Sequence, residues 1–159
     1  MDGAGLVFTP ATPFFAAAIA ILHGRCFDDP WPETAAREIL AMPGVFCLIA
    51  GDDDDDDGGG EDDAAAFVIC RMAADECEII SIGVVPERRR TGIATALLAA
   101  AITRAHGMGA KNVFLEVAAD NKAAEGLYRR QGFAETGRRV DYYRRHNGRV
   151  DAIVLAREL

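Results

Sequence analysis

Three apolar runs follow one another through the middle of the chain: GVFCLIAG (44–51), AAAFVICRM (64–72) and ECEIISIGVV (76–85). Each is short, rich in Val, Ile, Phe and Cys, and bounded by Gly, Pro or charged residues, a pattern that predicts β-strands. The polar turn AADE joins the last two into a hairpin. Upstream, GLVF (5–8) reads as a first strand, and Pro10 and Pro13 suit the entry of a helix running to about His23. A second helix begins near Pro32, with Glu33 in its first turn, where the helix dipole favours an acid.

After Pro86 the spacing predicts a helix over about 92–107, with Ile93, Leu97 and Ala101 on one stripe and Leu98 and Ile102 beside it. Gly107 and Gly109 end it. NVFLEVA (112–118) is a strand, and Asp120 or Asn121 caps a helix that runs to Gln131 and stops at Gly132. RRVDYYRR and VDAIVLARE close the chain as two strands. The order β-α-α-β-β-β-α-β-α-β-β predicts a single-domain mixed α/β (α+β) sheet. Its hairpins are antiparallel, and the crossover at 76–118 joins parallel neighbours.

The length of 159 residues fits one domain over 1–159 with one core. The formal charge of −8 comes from GDDDDDDGGGEDD (51–63), which holds nine acids, and without them the remainder carries +1. That tract reads as a solvated, self-repelling loop between two paired strands. An EF-hand reading starts well at Asp53, Asp55, Asp57 and Gly58 but meets Ala64 where the loop needs its closing Glu, and strands flank it. A near-neutral body argues against a nucleic-acid binder, which would show a broad basic face.

The apolar run Phe14–Leu22 lacks a preceding positive region, since Asp2 stands before it and the first Arg is Arg25, so a core helix is expected rather than a secretory signal. It is too short to span a membrane. Cys26, Cys47, Cys70 and Cys77 form no C-x-x-C pair and read as reduced, buried thiols of a cytoplasmic protein, with Cys70 and Cys77 on facing arms of a hairpin. His23, His106 and His146 show no metal-ligand spacing, and no metal is expected.

The chemistry gathers at RRRTGIAT (88–95). A helix N-terminus exposes unpaired N–H groups and a partial positive charge, which suits an anion. Gly92 lets the backbone approach a ligand, and Arg89 and Arg90 add charge. A P-loop is excluded, because no G-x-x-x-x-G-K is present. By itself the turn is equally compatible with a solvated basic loop.

SIGVVPERRRTGIATALL resembles motif A of the GNAT N-acetyltransferases, whose core pattern Arg/Gln-x-x-Gly-x-Gly/Ala is met by Arg89-Arg90-Thr91-Gly92-Ile93-Ala94. FLEVAADNKAAEGLYRRQGF (114–133) resembles the motif that follows, and CFDDPWPE resembles the family's Pro-Trp region. LEV, LYRRQGF and the pair Tyr142–Tyr143 are most similar to the RimI-type ribosomal-protein-alanine N-acetyltransferases. The resemblance implies helices on both faces of a mostly antiparallel sheet and a splayed parallel strand pair at the cofactor site. It implies acetyl-CoA as acetyl donor, with Arg89, Arg90, Thr91, Gly92, Ile93, Ala94 and Thr95 at the pyrophosphate, Ile82, Gly83 and Val84 along the pantetheine arm, and Asn121 as a further cofactor contact. Asn121 reads equally as a helix cap.

By the same resemblance Glu116 is the general base and Tyr128 the acid toward the departing thiolate. From the residues alone, Glu116 could be a solubilising charge and Tyr128 a core aromatic. Trp31, Asp141, Tyr142 and Tyr143 would shape the acceptor site, with Asp141 standing where relatives often carry Asn. The expected acceptor is a protein N-terminus, a ribosomal protein's in the RimI-type reading. Acetylation of a small amine and a non-catalytic acyl-CoA-binding module are the alternatives. No nucleic-acid or membrane partner is expected.

Overall fold

The computed structural model describes residues 5–53 and 64–159. Among these residues seven strands form one sheet in the order β1-β2-β3-β4-β5-β7-β6. They are β1 (Leu6–Ala11), β2 (Val45–Asp52), β3 (Ala64–Ala73), β4 (Glu76–Val84), β5 (Asn112–Ala118), β6 (Ala134–Arg145) and β7 (Gly148–Glu158). The helices are α1 (Ala16–Cys26), α2 (Glu33–Ala41), α3 (Ile93–Gly107) and α4 (Lys122–Arg130). Every strand pairing is antiparallel except β4 with β5. The mixed, mostly antiparallel sheet expected from the sequence is therefore the observed one.

Helices cover both faces. Arg104 of α3 lies over the Phe46 ring, 5.4 Å from its centroid, while His23 of α1 lies 6.0 Å from Phe67. Alternation along β3 sends Phe67 and Ile69 toward α1 and sends Ala66, Val68 and Cys70 toward α3. Phe67, Ile69, Leu97, Leu98, Leu115, Ile153 and Leu155 are fully buried in one core. Each such large side chain contributes about 1.5–3 kcal/mol relative to exposure.

Several bounds differ from the sequence reading. β1 continues through Pro10, which an edge strand tolerates because it has a neighbour on one side only and can spare the N–H that proline lacks. A 3-10 turn, Pro13–Phe15, then leads into α1. β6 starts at Ala134, well before RRVDYYRR, and β7 starts at Gly148. β2 runs one residue past the predicted strand, to Asp52, and residues 54–63 of the acidic tract lie outside the described residues. Cys47, Cys70 and Cys77 are buried as expected, Cys26 at the end of α1 is only half-buried, and all four thiols are free. No helix among the described residues is long and apolar enough to cross a membrane.

Candidate active site

Two features of β4 open the sheet at one point. Pro86 ends the strand, and a 3-10 turn over Pro86–Arg88 redirects the chain. β4 also pairs with β5 over only three positions, Glu76–Asn112, Cys77–Val113 and Glu78–Phe114. Beyond these the parallel strands diverge, although β4 runs on to Val84 and β5 to Ala118. Ile82, Gly83 and Val84 keep their partners on β3, Val68, Phe67 and Ala66, so their other backbone edge faces the gap. Gly83 has a packing reason to be glycine: a Cβ there would stand 3.0 Å from the Cys26 Cβ and 3.0 Å from Phe67 Cε1. The last turn of α1 is thereby seated directly on β4.

The mouth of the gap is the turn before α3. Arg90 (φ 62°) and Gly92 (φ 84°) are both left-handed, and such alternation turns successive N–H groups toward one concave side. The first α-helical bond of α3 runs from Ala96 N–H to Gly92 O at 3.1 Å, so the N–H groups of Ile93, Ala94 and Thr95 precede the helical ladder. A Cβ built on Gly92 meets nothing within 4 Å, which leaves the approach to the backbone open.

Two of the three arginines brace this turn with their side chains. Arg88 donates to Asp52 Oδ2 at 2.8 Å and Oδ1 at 2.9 Å, and holds that carboxyl below the usual carboxylate range. Arg89 donates from Nε to Val84 O at 3.0 Å and from Nη2 to Cys26 O at 3.0 Å. Arg25 and Glu87 form a further ion pair between α1 and the turn. Thr91 Oγ1 donates to Arg88 O at 2.6 Å. The Arg89 guanidinium is thus engaged in bracing the turn from within the fold.

Glu116 sits on β5 beyond the three paired positions. Its register partner on β7 is Val154, whose partner on β6 is Gly137, so these three share the α1 face of the sheet. Val113, Leu115 and Val117 point to the opposite, buried face. The Glu116 side chain is 22% exposed, and Arg139 Nε lies 2.7 Å from its Oε1. Tyr143 is half-buried, and burial, then the Glu116 charge, push its hydroxyl pKa up. Tyr142 and Tyr143 meet edge to face at 5.0 Å.

Tyr128 of α4 is 6% exposed and packs edge to face on Phe133 at 5.9 Å. Burial, with a smaller contribution from Tyr143, pushes its pKa up to about 12, so it stays an O–H donor at neutral pH. Asn121 caps α4, its Oδ1 accepting from Ala124 N–H at 3.2 Å.

The family model described as the acetyltransferase (GNAT) family matches residues 16–133. The chain belongs to the GNAT acetyltransferase family. Among GNAT proteins, the N-alpha-acetyltransferase RimI of Mycobacterium tuberculosis (strain H37Rv) is 38% identical over 131 residues, 81% of this chain and 78% of that protein. The ribosomal protein bS18-alanine N-acetyltransferase of Escherichia coli K12 is 40% identical over 91 residues. That match spans 57% of this chain and 62% of the E. coli protein. The crystal structure of the ribosomal-protein-S18-alanine N-acetyltransferase from Escherichia coli superposes with a TM-score of 0.85 at 27% identity, covering 96% of this chain and 93% of that one.

Within this GNAT fold the remaining sequence candidates lie as follows. Trp31, between α1 and α2, stacks on His23 at 4.2 Å and 16°, and its backbone N–H donates to His23 Nδ1 at 3.2 Å. His23 is buried beneath it; burial lowers its pKa, against a smaller opposing effect of Asp29. Asp141 is left-handed (φ 52°) at an irregularity of β6, and its N–H donates to Asp151 Oδ1 at 3.0 Å. Gly137 and Arg139 escape the sequence reading, and His23 enters it only as a helix end and for lacking metal-ligand spacing. His23 carried a signal, a polar residue ending an apolar helix. The pairing of Arg139 with Glu116 carried none, because it depends on β7 lying between their strands.

Proposed function

We propose that this chain transfers an acetyl group from acetyl-CoA to the N-terminal α-amine of a protein, a ribosomal protein in the manner of its RimI-named relatives. The observation that carries the reading is the diverging β4–β5 pair, with the α3 turn at its mouth and Glu116 on its β5 wall. The names of the relatives from E. coli and M. tuberculosis supply the acceptor class. A cytoplasmic setting is part of this reading.

The residues present fit the coenzyme. A left-handed pair, three N–H groups ahead of the helical ladder and a position without a Cβ make a cradle for a diphosphate. In this reading Arg89, Arg90, Thr91, Gly92, Ile93, Ala94 and Thr95 hold it through backbone groups. Ile82, Gly83 and Val84 offer their unpaired edge to the pantetheine arm, and Asn121 stands beside it. When bound, acetyl-CoA supplies an acyl thioester activated for attack by an amine.

Glu116 accepts the proton that the amine must lose, and Tyr128 gives a proton to the departing sulfur. The acceptor class sets how hard the base must work. About a quarter of an α-amine of pKa about 7.7–8.0 is neutral near pH 7.4, against about one part in a thousand for lysine at about 10.4. A partly exposed carboxylate is sufficient for the first. Trp31, Asp141, Tyr142 and Tyr143 border the acceptor side.

Incubating the protein with acetyl-CoA and a panel of N-terminal peptides, lysine peptides and small amines, read by mass spectrometry, tests this. Acetylation at the α-amine of a peptide beginning with alanine is expected. Modification of only small amines would replace the acceptor class. Coenzyme binding without transfer to any acceptor would leave a binding module.

A further inference from the structure

On the face of the sheet that carries Glu116, α1 and α2 pack against β2, β3 and β4. Beyond them, across β5, β7 and β6, the register places Glu116, Val154 and Gly137 in a row, and Ala118, Ala152 and Arg139 in the next, whose two alanines are buried. Gly137 contributes no side chain, and a Cβ built on it meets nothing within 4 Å. The row that ends at Glu116 is therefore without a side chain at its β6 end. The Glu116 carboxylate itself is held by the Arg139 guanidinium, with Nε 2.7 Å from Oε1.

Arg139 differs from the other arginines around the site. Arg145 is held by Asp120, with Nε 2.8 Å from Oδ2 and Nη2 3.0 Å from Oδ1, and Arg138 is held by Glu135 and Asp151. Arg139 emerges from β6 where its register with β7 breaks, between Arg139 and Tyr143, and its side chain is 59% exposed. Its guanidinium carbon also stands 5.4 Å from the centroid of the Tyr142 ring, itself half exposed. A second resting place, a cation over an aromatic face, is thus already in contact with it. The guanidinium end of the pair is solvent-exposed and can be solvated when it leaves, whereas the largely buried carboxylate favours having a cation beside it, so one cation is readily exchanged for another.

We propose that Arg139 is the displaceable counter-ion of Glu116: it occupies the carboxylate while the acceptor site is empty, and the acceptor's α-ammonium takes its place. The inference rests on Glu116 as the general base. A guanidinium cannot give up a proton in a protein, so as a partner of Glu116 it neither starts nor completes the transfer. The incoming ammonium does the same electrostatic work and can then pass its proton to the Glu116 oxygen that Arg139 held, which leaves the amine neutral for attack. Arg139 moves to the Tyr142 ring meanwhile. The exchange makes the arginine a competitor of the acceptor, so it sets acceptor affinity rather than the rate of the bound complex.

The test compares wild type, Arg139→Gln, Arg139→Lys, Glu116→Gln and the Arg139→Gln/Glu116→Gln double variant. All are checked for fold by circular dichroism and assayed with saturating acetyl-CoA and a peptide beginning with alanine. Removing a competitor while leaving the bound complex alone predicts that Arg139→Gln lowers the peptide's KM about threefold to tenfold and keeps kcat within about twofold. Calorimetric titration of the same peptide into protein saturated with coenzyme A should show the same gain in affinity. Arg139→Lys keeps a cation in place and should stay near the wild-type KM. In the Glu116→Gln background the Arg139 effect on KM should vanish, because no carboxylate remains to compete for. An unchanged or raised KM in Arg139→Gln, or a kcat lowered more than about tenfold and rescued by Arg139→Lys, would overturn the proposal and make Arg139 an orienting brace. Failure of the underlying reading is separate: it would appear as a wild-type kcat in Glu116→Gln alone.

Discussion

Arg89 reaches back from the turn to the end of its own strand, its Nε donating to the carbonyl oxygen of Val84 at 3.0 Å. Its Nη2 donates to Cys26 O at 3.0 Å, so one planar side chain ties β4, α1 and the turn together. Arg89→Ala should weaken acetyl-CoA binding about threefold to tenfold, the range for two partly exposed hydrogen bonds from a charged group. Arg89→Lys should recover little, because an ammonium lacks the fork that spans both carbonyls. Calorimetry with acetyl-CoA measures both; unaltered affinity in Arg89→Ala would mean that the bracing is irrelevant to the coenzyme.

At Gly92 a pair of isosteric variants separates backbone strain from charge. Both Asn and Asp tolerate the left-handed conformation found there (φ 84°), and no neighbouring atom lies within 4 Å of the added Cβ. Only Asp adds a negative charge, and like charges about 4 Å apart repel by about 1 kcal/mol in bulk water and about 4 kcal/mol near a protein surface. Gly92→Asp should bind acetyl-CoA at least about tenfold more weakly than Gly92→Asn. Equal affinities would remove the diphosphate from this turn.

Tyr128 gives a prediction in pH. Its pKa, pushed up to about 12 by burial, exceeds the ordinary value of 10.0 for an unfolded tyrosine. Between those values the unfolded chain has lost a proton that the folded chain keeps, so the stability Tyr128 contributes is complete below about pH 10 and lost as pH rises toward 12. Ultraviolet titration of tyrosinate should show a late step near pH 12 that disappears in Tyr128→Phe. The same variant should lower kcat and leave the acceptor's KM nearly unchanged, because the hydroxyl acts on the leaving sulfur. A normal titration of Tyr128 would show that its hydroxyl is not sequestered.

Gly137 tests the acceptor's approach to Glu116. Gly137→Leu adds a side chain where its Cβ meets no atom within 4 Å, across β7 from Glu116. Acceptor KM should rise at least about tenfold while acetyl-CoA affinity holds, the signature of lost acceptor binding. Equal loss for both ligands would point to a disturbed fold instead.

How far the sequence carried these features depends on where their causes lie. β5 was legible to the residue, because Val113, Leu115 and Val117 alternate with less buried neighbours and Gly and Asn mark its start. The turn before α3 was legible because Gly92 and the helix that follows are local features. β6 was legible only in part: it is an edge strand, exposed over most of its length, so no buried face imprints a period on Ala134–Gly137. The work of Arg89 and Arg88 was hidden for another reason. Three adjacent arginines read as charge for a ligand, whereas two of them have partners more than thirty residues away, Cys26 and Asp52. Pairings of that kind arise from the sheet order, which no local pattern encodes.

The role of Glu116 bears most directly on the proposed reaction, and its pH–rate profile with an α-amine acceptor is the measurement to make. Glu116→Gln keeps the shape of the side chain and removes its ability to take a proton. With a peptide beginning with alanine, kcat near neutral pH should fall by about 10²–10⁴-fold. The deficit should shrink as pH rises past the amine's own pKa of about 7.7–8.0, while with a lysine acceptor, pKa about 10.4, it should persist to much higher pH. A folded Glu116→Gln protein that acetylates the peptide at the wild-type rate from about pH 6 to about pH 9 would contradict the assignment of Glu116 as the base.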